Sequence, residues 1–569
     1  MKKKIVNFLA KTLIFLSGGV AISLISYYKI HSPFKPAVYN YESYISDFAR
    51  REISKDFNYR EFGDVSDFTK AIEDNRTIAG VGSDFQIARL VQKKLLQKID
   101  YSKLFKNWYV AQAFALPENY YQLTLEQKQA FNNKKRAAFE QMFRKEVIKH
   151  IDKYDKFLKD DQGNDIDIDH DGIKDRFWEF FIPYYTQDKV IAYTIGDYQK
   201  DEKIVNLRQF MNNWTTKQKD EIQNQGIKFD DQSLKGIGQS LRNNGYSFFE
   251  WTEAMRDNLL VGQENFGNYG DVIDENNYQK IVDSFVNYIS EISGYPYTNL
   301  KHNVFKTSGL DLANSLIDPS LNQDVGYLYN GDALDANYSK DNYEILEEEK
   351  TIRIIRPKNN LTLLDGWIIL QSTPQETTDK FYTTLYNSIF KGEEYSLDEK
   401  LKELLVDVEY NYLLNNESEK YEQKQGKGYT FDFDTIPFAA NFNFINYTPT
   451  FQKSFEFFKK FYFNDETATV KKAKDDEEIS IILNQDGNII NDIENLKYDQ
   501  VAGKTTDVKT LRSLNIYLTQ QEQQTLYGNM PTEDNIDEGR YNINYTFIKP
   551  FSERLESLIR TYYNLKTKS

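Results

Sequence analysis

The stretch that most constrains the fold is residues 77–104, TIAGVGSDFQIARLVQKKLLQKIDYSKL. A short apolar run ends at Gly82. A small polar turn, Ser83-Asp84-Phe85, follows, and then apolar residues recur at helical spacing at Ile87, Leu90, Val91 and Leu95. A strand that feeds a helix through such a turn aims backbone N–H groups and a hydroxyl at the strand's carboxyl end. Open α/β sheets bind their ligands in that crevice.

The rest of the chain alternates in the same way. Val38-Tyr39-Asn40-Tyr41 reads as a strand, Ile45, Phe48 and Ala49 mark a helix, and Phe68 and Ile72 a second. Residues 106–165 read as a helical insertion that ends in an acidic loop. Phe181 to Tyr185, continued by Val190 to Tyr193, reads as a strand able to leave the first half of the molecule. Residues 250–300 read as helical, 325–331 as a buried strand and turn, and 352–355 and 367–370 as further strands. Polar residues 395–435 and 465–512 read as surface insertions, and 551–565 as an amphipathic helix with Leu555, Leu558 and Ile559 inward. This alternation predicts an α/β protein.

Composition narrows the function. A net charge of −15 leaves no basic stripe for phosphates, which excludes nucleic acid as a partner and suits a cationic one, although acidity also serves solubility alone. Cysteine is absent, which removes disulfides, thiolate chemistry and a cysteine-linked lipid anchor. Lys2-Lys3-Lys4 precede an apolar run that is free of charge from Thr12 to Tyr28. With Ile5 to Ala10 included, it is long enough to span ~30 Å of hydrocarbon. The basic flank predicts a single-pass anchor, residues 1–30, with the bulk of the chain extracytoplasmic. A cleaved signal peptide, with small residues at Gly19-Val20-Ala21, is the alternative.

Seven pieces occur in the order found in one family. Besides 77–104 they are Tyr39-Asn40-Tyr41-Glu42-Ser43-Tyr44; Ile182-Pro183-Tyr184; Asp230-Asp231 ahead of a helix ending Asn244-Gly245-Tyr246-Ser247; Gly326-Tyr327-Leu328-Tyr329-Asn330-Gly331; Pro357-Lys358 with Leu364-Asp365; and Ile445-Asn446-Tyr447-Thr448-Pro449. Together they resemble the solute-binding proteins of bacterial spermidine/putrescine (polyamine) ABC importers. The resemblance implies a two-lobe, type II periplasmic-binding-protein-like fold with helical insertions behind the N-terminal transmembrane helix. Its lobes would comprise 36–195 with 366–450 (insertion 106–180), and 196–365 with 451–569. It also implies a polyamine guest, a permease and an ATPase as partners, no enzymatic activity, and no required cofactor.

Carried over by position, the resemblance places Tyr41 and Tyr44 on the wall of the first lobe, and Ser83, Asp84 and Phe85 at its strand end. Asp231 would meet an ammonium from the second lobe, Tyr329 would stack on methylenes, Asp365 would bind the opposite ammonium, and Tyr447 would close the side near the hinge. The family's tryptophans are replaced here by Tyr41, Tyr329 and Leu363. Its second acid after Asp231 is also missing, and Asp332 is the substitute within reach. The chemistry is coherent, because an ammonium that leaves water needs a carboxylate and methylenes favour aromatic faces. Each residue has a plainer reading as well: tyrosines as core, Asp365 in a structural salt bridge, Asp231 as a helix cap.

Asp167, Asp169, Asp171 and Asp175 follow the D-x-D-x-D-G-x-x-D spacing of calcium loops, with Gly172 at the turn, although Trp178 stands where a bidentate glutamate belongs. A structural Ca2+ or a solvated acidic turn are the two readings. Walker, G-x-S-x-G and H-E-x-x-H motifs are absent. Rival functions are binding of another small solute, such as a sugar or peptide, and surface adhesion on a retained fold.

Overall fold

One long strand, β4 (Ile182–Thr194), ties the molecule together. The computed structural model describes residues 34–567 apart from 161, 196, 201–202, 207–208, 228, 230, 232, 319, 322, 338–350, 463, 465 and 504–543. Its architecture is mixed α/β. The other strands of the main sheet are β1 (Ala37–Tyr41), β2 (Asn58–Phe62), β3 (Ala79–Ser83), β5 (Phe249–Thr252), β6 (Asn303–Lys306), β7 (Val325–Tyr329), β8 (Ile352–Ile355) and β9 (Asn359–Ile369). Eight of them lie in the order β2-β1-β3-β9-β4-β7-β5-β6; β8 and Thr448–Pro449 also pair with β4, and Asn544–Thr546 pairs with β9.

β4 changes partners at its middle. Ile182 to Asp188 pair with β9, whereas Lys189 to Tyr193 pair with β7. The apolar side chains accordingly form two main cores. One gathers Val38, Val81, Tyr184, Leu364 and Trp367; the other gathers Tyr193, Trp251, Phe285 and Tyr327. β4 is apolar at both ends, Ile182 to Tyr185 and Val190 to Tyr193, and polar through its buried middle, Thr186 to Asp188.

The sequence expectation of a strand–turn–helix is met by β3 and the helix Asp84–Gln92, whose buried face includes Ile87, Leu90 and Val91. Three expectations differ. Trp251 lies in strand β5 and not in a helix, because Phe249 and Trp251 both pack into the second core. The expected lobe boundary at 365/366 falls inside β9, which pairs without a break with β3 from Asp365 to Ile369. Residues 451–503 were expected in the second lobe, yet Phe455, Phe457, Phe458, Ile482 and Val501 belong to the first core. The helix Gln452–Phe461 begins just after Thr448–Pro449, which is hydrogen-bonded to β4, so the chain has no length in which to leave. Among the described residues of 451–569, the helix Glu553–Thr567 joins the second core through Ile559 and Tyr563, and Phe551 packs against it.

The polar stretches expected as surface insertions build a separate four-stranded sheet, Leu405–Asn415, Lys420–Phe431, Thr467–Lys472 and Glu478–Ile482, over a small core of Val408, Tyr410, Val470 and Ile481. Residues 1–30, expected as an N-terminal anchor, lie outside the described residues, and among those described no helix is long and apolar enough to cross a membrane.

Candidate functional site: an acidic, phenol-lined cavity

The parallel strands β1 and β3 of the first half, and β5 and β7 of the second, end around one cavity of about 840 Å³. This is the crevice position expected for an α/β sheet. Tyr41, Tyr44, Ser83, Phe85, Tyr329, Asp332, Asp365 and Tyr447 all line it.

Asp365 is the centre of its first wall. Register pairs it with Ser83 across β9 and β3, and it is 2 % exposed. Ser83 Oγ donates to its Oδ1 at 2.6 Å and Gln187 Nε2 to its Oδ2 at 2.5 Å. Behind them, the Tyr41 hydroxyl meets Ser83 Oγ at 2.8 Å, and Gln187 Nε2 also donates to the Tyr44 hydroxyl at 3.1 Å. Every donor is neutral, and among the described residues no lysine or arginine forms an ion pair with Asp365. Burial therefore pushes its carboxyl up to about 7, against the pull of the Ser83 hydrogen bond and with a further push from Asp84.

The opposite wall starts at the end of β7. Asp332 lies in the first turn of the helix Asn330–Asn337 and accepts from the Tyr447 hydroxyl at 2.7 Å. Among the described residues its Oδ2 has no hydrogen-bond partner although buried, and burial raises the carboxyl to about 6. Tyr447 reaches this place because residue 331 is glycine; a Cβ there would lie 1.8 Å from the ring. The rings of Tyr44 and Tyr447 meet edge to face at 5.4 Å, and those of Tyr41 and Tyr44 at 5.9 Å. Burial holds all four phenols, Tyr41, Tyr44, Tyr329 and Tyr447, in their neutral form.

Two expected site residues lie elsewhere. Asp84 is fully buried and turned away from the cavity: it accepts from its neighbour's Phe85 N–H at 2.7 Å and from Leu364 N–H at 3.2 Å, and pairs with His150 Nε2 at 2.6 Å. As the first residue of a helix, it satisfies backbone donors within the core. Asp231 is exposed and off the cavity wall. It accepts from Ser233 N–H at 3.1 Å in the turn before the helix Leu234–Asn243, whose N-cap is Ser233, so the helix-cap reading does not fall on Asp231 either.

The sequence reading missed Asp257, Gln187, Arg256 and Lys189. Asp257 and Arg256 begin the helix Met255–Phe266 directly after β5. The signal was a second strand–turn–helix, Phe249 to Asp257, concealed when 250–300 was read as helical. Arg256 stacks 4.0 Å over Phe85 and pairs with Glu556 at 2.7 Å.

The acidic loop lies apart from the cavity. Carboxylate oxygens of Asp167, Asp169 and Asp175 gather within 4.8 Å of one another. Asp171 does not join them; it accepts from the Tyr120 hydroxyl at 2.5 Å and from Ile173 N–H at 2.7 Å. Lys98 Nζ stands 2.8 Å from Asp169 and 2.5 Å from Asp175, so two of the three gathered carboxylates are paired with the chain's own ammonium.

Fold and cavity together define a mixed α/β protein with a charged hollow between two cores. A family model described as hypothetical lipoprotein (MG045 family) matches residues 3–527, and the chain belongs to that family. None of the 569 residues is a cysteine, so a cysteine-linked lipid has no attachment point in this sequence. No curated protein matches the chain. Among solved structures it is similar to a putative spermidine/putrescine ABC transporter from Listeria monocytogenes, at 11% identity over 94% of this chain and 98% of that one, with a TM-score of 0.42. It is also similar to a spermidine/putrescine ABC transporter substrate-binding protein from Streptococcus pneumoniae, at 13% identity over 62% and 78% of the chains, TM-score 0.33. A Treponema pallidum lipoprotein is similar at 13% identity over 62% and 80%, TM-score 0.36. At scores this low, function must be argued from the cavity's own chemistry.

Proposed function

We propose that this chain is the extracytoplasmic solute-binding component of an ABC importer, and that its cavity takes a slender amine cation, a polyamine, between two hinged halves for delivery to a permease and its ATPase. The supporting observation is Asp365, a buried cavity carboxylate ringed by phenols and held by neutral donors only. A buried carboxylate without countercharge is costly to ionise, and an incoming ammonium removes that cost. Tyrosine faces beside it add ~0.5–2 kcal/mol per ammonium and cover the methylenes. Of the charged residues on the wall, Glu42, Asp64, Glu253, Asp257, Asp332, Asp335 and Asp365 outnumber Arg256 and Arg560. Residues 1–30 would hold the protein at the outer face of the membrane.

Titration calorimetry of the full chain in detergent, with putrescine and spermidine, tests this reading. Saturable heat at micromolar amine, lost in Asp365→Asn, supports it. Heat with sugars or peptides but not with amines transfers the cavity to another solute, and silence with all of them favours an adhesion role.

A further inference from the structure

One aromatic face in the cavity wall already carries an ammonium. Lys189 Nζ lies 3.6 Å from the centroid of the Tyr329 ring and 2.8 Å from Asp257 Oδ2. The Tyr329 hydroxyl donates to that same carboxylate oxygen. A flat ring with a carboxylate at its edge is the environment an amine guest would occupy, and here the chain's own lysine fills it. The side chains of Lys189 and Asp257 are only 16% and 5% exposed, so the pair is shielded from salt and water.

The lysine is also firmly placed. It sits on β4 at the point where that strand passes from one core to the other, directly opposite Tyr329 in the register. Its N–H donates to Asn360 Oδ1 at 3.0 Å, and Asn360 Nδ2 donates back to its carbonyl at 2.8 Å. Asp257 and Tyr329 line the cavity from one side, and Lys189 reaches them from behind.

The consequence is a count of charges. Asp257 is neutralised internally. Among the described residues, Asp365 has no basic partner, and Asp332 has one oxygen without any hydrogen-bond donor and feels Lys189 at longer range. Resting on the reading of the cavity as an amine site, we propose that Lys189 is its specificity determinant: a built-in ammonium that withdraws Asp257 and the Tyr329 face from the guest. The site therefore takes a dication whose charges meet Asp365 and Asp332, and disfavours a trication, whose third charge would find Asp257 already paired.

Calorimetry on the full chain with putrescine and spermidine, for wild type, Lys189→Met and Lys189→Arg, tests the assignment. Wild type prefers the diamine. Lys189→Met shifts the spermidine-to-putrescine affinity ratio toward the triamine by about tenfold or more, the scale of one charge-assisted contact. Lys189→Arg, which restores the charge, restores the diamine preference. An unchanged ratio in Lys189→Met, or a wild type that already favours spermidine, overturns the role of Lys189 and leaves the amine site standing. No amine heat in any variant overturns both. Should Lys189→Met fail to unfold cooperatively, Lys189→Gln, which still donates to Asp257 without charge, must shift the ratio in the same direction, and failure to do so overturns the proposal.

Discussion

The acidic loop at residues 167–175 and the wall of the central cavity both gather carboxylates, yet the two are built to opposite ends. In the loop, Lys98 stands 2.8 Å from Asp169 and 2.5 Å from Asp175, and the cluster is closed on itself. In the cavity, Lys189 closes Asp257 in the same manner, while Asp365 keeps only neutral donors and Asp332 keeps a bare oxygen. Acidic residues alone therefore do not mark a binding site. What marks one is a buried carboxylate for which the fold supplies no cation, because that charge is costly until something arrives.

The sharpest way to break the contrast is to remove the uncompensated charge. Asp365→Asn keeps the shape, still accepts from Gln187 with its one oxygen and turns its NH2 to the Ser83 hydroxyl, which can accept, but it removes the anion, and it should weaken amine binding about a hundredfold or more, the scale for unpairing a buried ion. The same change in a sugar-binding cavity would be nearly silent, so calorimetry on this one variant separates the two guests. Thermal unfolding of the apo variant should show no loss, since no ion pair is broken. A large drop in Tm would mean that Asp365 is structural.

The loop should behave in the reverse way. Lys98→Met strands Asp175, whose side chain is wholly buried, and should destabilise the fold by roughly 3 kcal/mol, the lower end of the cost of breaking a buried pair. Calcium at about 1 mM, within the range of weak extracellular sites, should leave the Tm of wild type unchanged and recover part of the loss in the variant. A clear calcium shift in wild type would show that the ion displaces Lys98 unaided, and would restore the loop as a calcium site.

How much of this was legible beforehand follows from the reach of each signal. The β3–helix unit was readable because its pattern is local: an apolar run, a small turn and a helical period within residues 77–104. Tyr41, Tyr44, Ser83, Phe85, Tyr329, Asp332, Asp365 and Tyr447 were brought to one cavity by family resemblance and not by spacing. Asp84 was misread because sequence gives the helix start but not which way the first carboxylate turns; here it turns inward to His150. The decisive partners are distant. Lys98 lies 71 residues before Asp169, and no periodicity announces it. Lys189 was invisible for the same reason, and the second strand–turn–helix at β5 was absorbed into a helical reading that Trp251 and its apolar neighbours also fit.

Burial of Asp365 without countercharge predicts a pH signature in the cavity, read against Asp365→Asn because burial also raises Asp175 and Glu264 to about 7. Asp365 has a folded pKa raised to about 7, above the ordinary aspartate value near 4. Between those values the native state holds a proton that the unfolded chain has released. The stabilising effect of that proton is thus complete below about pH 4 and is lost as pH rises through about 7. Apo wild type should lose stability relative to Asp365→Asn over that window. Amine affinity should move oppositely, rising by up to tenfold per unit below pH 7 and levelling above it, because a cation binds only the ionised form. Calorimetry in buffers of different ionisation enthalpy reads the released proton directly. An affinity flat from pH 5 to 8 would place the cationic contact on a carboxylate already ionised.

The smallest expected effect probes how the bare carboxylate is held. Tyr41 touches Asp365 only through Ser83, its hydroxyl lying 2.8 Å from Ser83 Oγ, which donates to the carboxylate at 2.6 Å. Tyr41→Phe leaves the aromatic face for methylenes and ammonium and removes one neutral hydrogen bond, worth about 1 kcal/mol. Amine affinity should fall only a few-fold, while the pH midpoint moves upward, since Ser83 loses its orienting partner and supports the ionised carboxylate less well. Tyr41→Ala removes the face too and should cost more at every pH without a comparable further shift in midpoint. If Phe and Ala variants prove alike, the hydroxyl carries the whole contribution of Tyr41, and the ring is core packing rather than part of the guest's wall.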